Sequence, residues 1–167
     1  ALCSGNKNGC GIWSAPYDDF ERTITAMGRK DVPILYGAGA AWASWIRANT
    51  DDWSAIADKA RVDLMMQRVV TLDETYEDGS AYLYLGRLAT LLPKAAGGQP
   101  EQGRAAFERV IELSDGKNLS AKVLLARSYA RLVFDRDLHD RLCQEVIEAD
   151  PVAPGLTLTN TMAQDEA

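Results

Sequence analysis

Histidine, cysteine and positive charge are scarce in this 167-residue sequence. It holds one histidine, His139, and three cysteines, Cys3, Cys10 and Cys143. A Ser-His-Asp or Cys-His catalytic set needs a base oriented by a third group, and one imidazole in helical sequence does not meet that need. A zinc site on Cys3 and Cys10 would want further ligands that the chain does not supply. Eighteen basic residues stand against 24 acidic ones, a net charge of −6 with a pI near 4.8. Nucleic-acid backbones need a basic face, so no nucleic acid is expected as a partner, and an anionic membrane surface is disfavoured for the same reason. Long apolar runs are missing too. The longest nearly apolar stretch, Ile34 to Ile46, has 13 residues, too few to span a bilayer. No signal peptide is present and the first residue is not Met, so the chain is expected to be a processed or trimmed product. Nowhere do β-branched and polar residues alternate over a useful length, so the expected class is all-α.

The cysteines differ in kind. Cys3 and Cys10, with six residues between them in a Gly/Asn/Lys-rich segment, are expected to form a disulfide in an oxidising compartment. Cys143 sits in a helical pattern and reads as a small buried apolar residue. No cofactor and no metal are expected. Gly37-Ala38-Gly39 is not a phosphate loop, since no Gly-Lys-Ser/Thr follows; small residues in a helix let another helix come close. The acidic turn Asp73, Glu74, Glu77, Asp78 does not alternate as a calcium loop does, and reads as a solvated turn.

Against these absences stands a repeat. Arg68-Val69-Val70-Thr71-Leu72-Asp73 is echoed by Arg109-Val110-Ile111-Glu112-Leu113-Ser114 and again by Glu145-Val146-Ile147-Glu148-Ala149-Asp150. Val69, Val110 and Val146 are 41 and then 36 residues apart, a period that marks a helical repeat array. The expected organisation is an irregular segment over 1–15 and a helical-repeat domain over 16–167. Its pairs lie near 31–73, 80–114 and 119–150, with a closing helix near 155–163. Within it, Phe20, Ile24 and Met27 share one face of a first helix, and Gly28 stops it. Asp31 is expected to cap the next helix with Pro33 just inside. Thr50-Asp51-Asp52 is expected to cap one long helix to Leu72, and Ser120 the helix through Tyr129.

The pattern fits the tetratricopeptide frame in part. Leu85-Gly86 takes its Leu-Gly place after Tyr82, with Tyr36-Gly37 and Leu125-Ala126 in the flanking repeats. Phe107 takes the second-helix Phe place, with Met66 and Cys143 equivalent, and Pro151 is the terminal Pro. Val62, Gly103 and His139 stand where that frame has Ala. Each hairpin is too small to bury its own apolar face and depends on its neighbours, which makes the expected fold a tetratricopeptide-like α-solenoid. Tyr82, Leu85, Ala89, Phe107, Val110 and Ile111 are expected to share one core.

These residues resemble the T component of tripartite ATP-independent periplasmic (TRAP) transporters, the TatT family, from about Trp13 to Met162. The likeness rests on Asp31-Val32-Pro33-Ile34-Leu35-Tyr36-Gly37 with its Trp-rich helix, and on Leu72-Asp73-Glu74-Thr75-Tyr76. Gly97-Gly98-Gln99-Pro100-Glu101, Leu113-Ser114-Asp115-Gly116 and Leu158-Thr159-Asn160 add to it. The resemblance implies a non-enzymatic, tetratricopeptide-like periplasmic protein, lipid-anchored in its full-length form. It implies association with the solute-binding P component and homo-oligomers with an internal channel.

The frame also points first-helix side chains into a concave face. It sets Trp42 on that wall, Trp45 beside it, and then Leu83, Arg87 and Thr90, followed by Val123, Arg127, Ala130 and Arg131. Aromatics and arginines are what binding surfaces use. The resemblance makes the expected function that of a transporter accessory protein that docks the P component, with ligand bound or passed along this face. The alternatives are a periplasmic small-molecule- or lipid-binding protein whose groove itself holds an apolar or anionic ligand, and a general tetratricopeptide interaction scaffold.

Overall fold

A computed structural model describes residues 11–49 and 51–167; the expected Cys3–Cys10 disulfide lies outside them. Among the described residues there are helices and turns and no strand. The chain divides into two compact units between Tyr76 and Glu77, in the turn that joins the first and second helical pairs.

In the first unit α1 spans Tyr17–Ala26, α2 Val32–Ala48, α3 Trp53–Ala57 and α4 Lys59–Leu72. Asp18 and Asp19 lie in the first turn of α1, where carboxylates meet the positive helix end. Phe20, Ile24 and Met27 are fully buried along one face, as their spacing predicts. Asp31 does not cap α2 through its side chain. A 3-10 turn, Arg29–Asp31, precedes the helix, and the Asp31 carboxylate instead accepts the Gly28 N–H at 2.9 Å. The long helix expected after Thr50-Asp51-Asp52 is two. Asp52 caps the short α3, accepting the Ser54 N–H at 2.8 Å, and Asp58, with ψ of −4°, ends α3 and begins α4.

α2 packs on α4 at Gly39, where a Cβ would lie 2.8 Å from the Met66 methyl. Gly37, which the repeat frame sets in that role, is exposed with nothing within 4 Å. Two residues are about 200° around a helix, so the frame turns α2 almost back to front.

In the second unit α5 spans Ala81–Ala89, α6 Pro100–Leu113 and α7 Leu119–Leu124; α8 spans Arg136–Glu148 and α9 Thr157–Glu166. Pro100 opens α6, where its missing N–H costs nothing. The Gln99 N–H closes the long preceding turn on Ala89 O at 2.9 Å. α5 and α6 then meet through two glycines. A Cβ on Gly86 would lie 2.5 Å from the Phe107 ring, and one on Gly103 would lie 2.4 Å from Thr90 Cγ2 and 3.0 Å from Gly86 O. Glycine in the Ala place brings the backbones closer than Ala would allow.

Phe107 is the hub of a cluster with Leu125, Ala126, Tyr129, Leu138, Leu142 and Cys143. Of the expected core, Phe107 and Val110 are fully buried and Ile111 packs against the cluster. Tyr82, Leu85 and Ala89 are half-buried, and from α5 it is Leu83 that packs against the Phe107 cluster.

After Leu124 the helix widens into a π turn, Leu125–Ala130, with the Arg131 N–H donating to Ala126 O at 3.2 Å. Asn118, not Ser120, caps α7 by accepting the Ala121 N–H at 3.3 Å. Asp135 caps α8 through the Leu138 N–H at 3.0 Å.

The closing helix α9 is fastened by two side chains. Asn160, fully buried, accepts the Leu119 N–H at 3.0 Å and donates to Lys117 O at 2.9 Å and Pro151 O at 3.1 Å. Gln164 Nε2 donates to Val146 O at 3.0 Å and Ala149 O at 2.8 Å, at the end of α8.

Candidate functional site

The tryptophans of α2 part company. Trp42 is half-buried, its ring 4.9 Å from Trp13 and 5.9 Å from Phe20, edge-on to both. That geometry is aromatic packing against α1 and follows from the rotation of α2 that sets Gly39 on Met66. Trp45, one turn on, is 46% exposed. Beside these rings Arg61 reaches Ala15 O at 2.7 Å and lies 4.9 Å from the Phe20 centroid.

In the second unit Leu83 is half-buried against the Phe107 cluster and Arg87 is exposed one turn later. Thr90 is buried, and its hydroxyl donates to Gly86 O at 2.8 Å, so it serves its own helix end. Arg127 is exposed and paired with Glu166 of α9. Arg131 is exposed and makes no ion pair among the described residues. Val123 and Ala130, set on the concave wall by the frame, are buried instead, Val123 with Ala163 of α9 and Ala130 in the Phe107 cluster. Two causes account for this. The π turn shifts every position beyond Ala126 relative to α-helical spacing. The closing helix also lies along α7, where the Ser120 hydroxyl donates to Thr159 O at 3.4 Å. Glu166 as the partner of Arg127 has no signal in the sequence; Asn160, which holds α9 in place, falls within a motif that carries the family likeness.

The charged groups around Tyr129 form a second cluster. The Tyr129 hydroxyl donates to Glu101 Oε1 at 3.0 Å, and the Arg104 guanidinium lies 5.6 Å from the Tyr129 ring centroid while its Nε donates to Glu108 at 2.7 Å. The Glu108 hydrogen bond, and then that of Tyr129, raise the Arg104 pKa further above the neutral range.

His139 meets Asp140 at 3.0 Å and the Cys143 sulfur at 4.0 Å. Burial, then the Asp140 charge, push the Cys143 thiol up, away from the thiolate that a nucleophile or metal ligand needs. Among the described residues no three His, Cys, Asp or Glu side chains gather as a metal ion would require.

Compared with known protein families, the chain matches the TRAP transporter T-component over residues 1–167, its whole length. The chain belongs to the TRAP transporter T-component family. No curated protein matches it. In this T-component chain the motifs behind the family likeness are largely structural. Gln99 and Glu101 close the long turn and hold Tyr129; Asp115 and Gly116, at φ of 51° and 73°, turn the chain out of α6; Asn160 fastens α9. Membership assigns an accessory role in TRAP transport. No described helix of this T-component is long and apolar enough to cross a membrane.

Proposed function

We propose that this T-component is a non-enzymatic periplasmic module that docks the solute-binding P component of its transporter. The observation that carries the reading is the whole-length family match. The architecture accords with it. Helices that meet at Gly86 and Phe107 support a reading as hairpins of a tetratricopeptide-like stack. The same reading takes the full-length protein as a lipid-anchored homo-oligomer that passes a small organic or apolar ligand along its concave face.

Within the second unit the partner would meet Leu83, Arg87, Arg127 and Arg131, with Thr90 supporting from behind; the first unit, taken by itself, offers Trp45 with Trp42 behind it. A guanidinium pairs well with a carboxylate, and Arg127 already holds one in Glu166. Both members of that pair are half-exposed, so a partner's carboxylate can replace Glu166 at little cost.

The test is biolayer interferometry with the P component of the same organism immobilised. Association is expected. Replacing Arg87 and Arg127 together with Ala should weaken it several-fold, with a smaller loss at high salt and a nearly unchanged melting temperature. No association of the unaltered chain overturns the docking role. Full binding by the double variant removes the concave face as the site.

A further inference from the structure

Two turns of the second unit lie at one end of it. α5 runs antiparallel to α6, with Gln99 N–H on Ala89 O, and α6 runs antiparallel to the π turn, with Tyr129 on Glu101. The start of α6 therefore has the end of α5 on one side and the end of the π turn on the other. Both ends release apolar side chains into solvent. Leu91 and Leu92 are 59% and 49% exposed after α5, and Phe134 is 93% exposed after the π turn.

Phe134 also has φ of 60°, in the left-handed region where glycine is free and a bulky residue is strained. The other described non-glycine residues with positive φ are Glu77, Asp78 and Asp115, all acidic. The turn at Phe134 is made by backbone bonds alone: Phe134 N–H to Arg131 O at 3.3 Å and Asp135 N–H to Ala130 O at 2.9 Å. Glycine would close it equally well. The phenylalanine thus destabilises the chain in backbone conformation and leaves its ring in water, with no contact inside the chain to offset either. Aromatic side chains of this sort are the anchors of protein interfaces.

The charges at this end are asymmetric in availability. Lys94 and Arg131 make no ion pair among the described residues. Glu101 is bonded to Tyr129 and Asp135 to the Leu138 N–H; Asp137 lies in the first turn of α8 at its positive end.

We infer that this end of the second unit is a docking surface anchored by Phe134, and that its occupant is the P component, through an apolar pocket rimmed by carboxylates that meet Lys94 and Arg131. The inference rests on the docking role proposed above, and it moves the main contact from the concave face to the turns.

Phe134→Gly and Phe134→Ala are compared with the unaltered chain and with the Arg87/Arg127 double variant for binding to the immobilised P component and for melting temperature. Both Phe134 variants should bind about tenfold or more weakly. Phe134→Gly should melt no lower than the unaltered chain and up to about 2–4 °C higher, because glycine relieves the left-handed strain. Unchanged binding by Phe134→Gly overturns the inference and leaves the docking role standing. A lowered melting temperature for Phe134→Gly makes the ring structural and also overturns it. A binding loss confined to the arginine variant assigns the contact to the concave face. If the unaltered chain does not bind, the docking role falls and this surface with it.

Discussion

Gly86 and Gly37 occupy the same place in the repeat pattern and opposite surroundings. Gly86 has the Phe107 ring where a Cβ would go, while Gly37 faces open solvent. Gly86→Ala should therefore destabilise the protein by about 1–3 kcal/mol through overpacking. Gly37→Ala should stabilise α2 by about 0.5–1 kcal/mol, since alanine loses less conformational freedom in a helix. Urea denaturation of the two variants checks this, and equal effects would mean that the two helical pairs share one register after all. The periodicity of α2 was readable from the sequence, but its phase was not. Gly37 and Gly39 are both small, and only the Met66 side chain selects between them. Asp73 offers a test by pH. The Thr75 hydroxyl, and then Arg29, hold its carboxyl below the usual carboxylate range. Its contribution to stability is complete above about pH 4, the range of a free carboxyl. It is lost as pH falls through the lower folded value. Asp73→Asn should flatten the acid limb of the stability curve, and an unaltered limb would mean that these bonds do not persist in solution.

Helices were the most legible elements. α1, α6 and α8 lie close to where the sequence sets them, because a boundary signal adds to apolar spacing in each: first-turn Asp18 and Asp19 in α1, Pro100 in α6 and the Asp135 cap in α8. The break at Asp58 and the π turn at Leu125–Ala130 were not legible. Both are changes of hydrogen-bond register inside sequence that is good helix throughout, and such changes answer to what the helix packs against. The concave face suffers most from this: α-helical spacing sets Val123 and Ala130 on it, but α9 packs on Val123 and Ala130 turns into the Phe107 cluster. How firmly α9 covers it depends on Asn160. Asn160→Leu should cost about 2–3 kcal/mol, because it strands the Leu119 N–H and two carbonyls. Thr161→Ala, on the exposed side of α9, serves as the control. Denaturation midpoints of the two variants that coincide would show that the asparagine is not what holds the helix.

At the scale of the whole chain, sequence and structure agree on class and family and diverge on surface. The all-α class follows from the missing strand signal, and membership from the full-length match. Surface is harder to read because the residues that expose it, Phe134 above all, break local rules instead of following them. The asparagine at the close of the chain has a further consequence, one that concerns time. Its partners Leu119 and Lys117 come 41 and 43 residues earlier. In folding, α7 and α8 can pair before Asn160 is brought across to them. Until then the first turn of α7 has backbone groups that only water can satisfy. The start of α7 is thus sealed only when α9 docks.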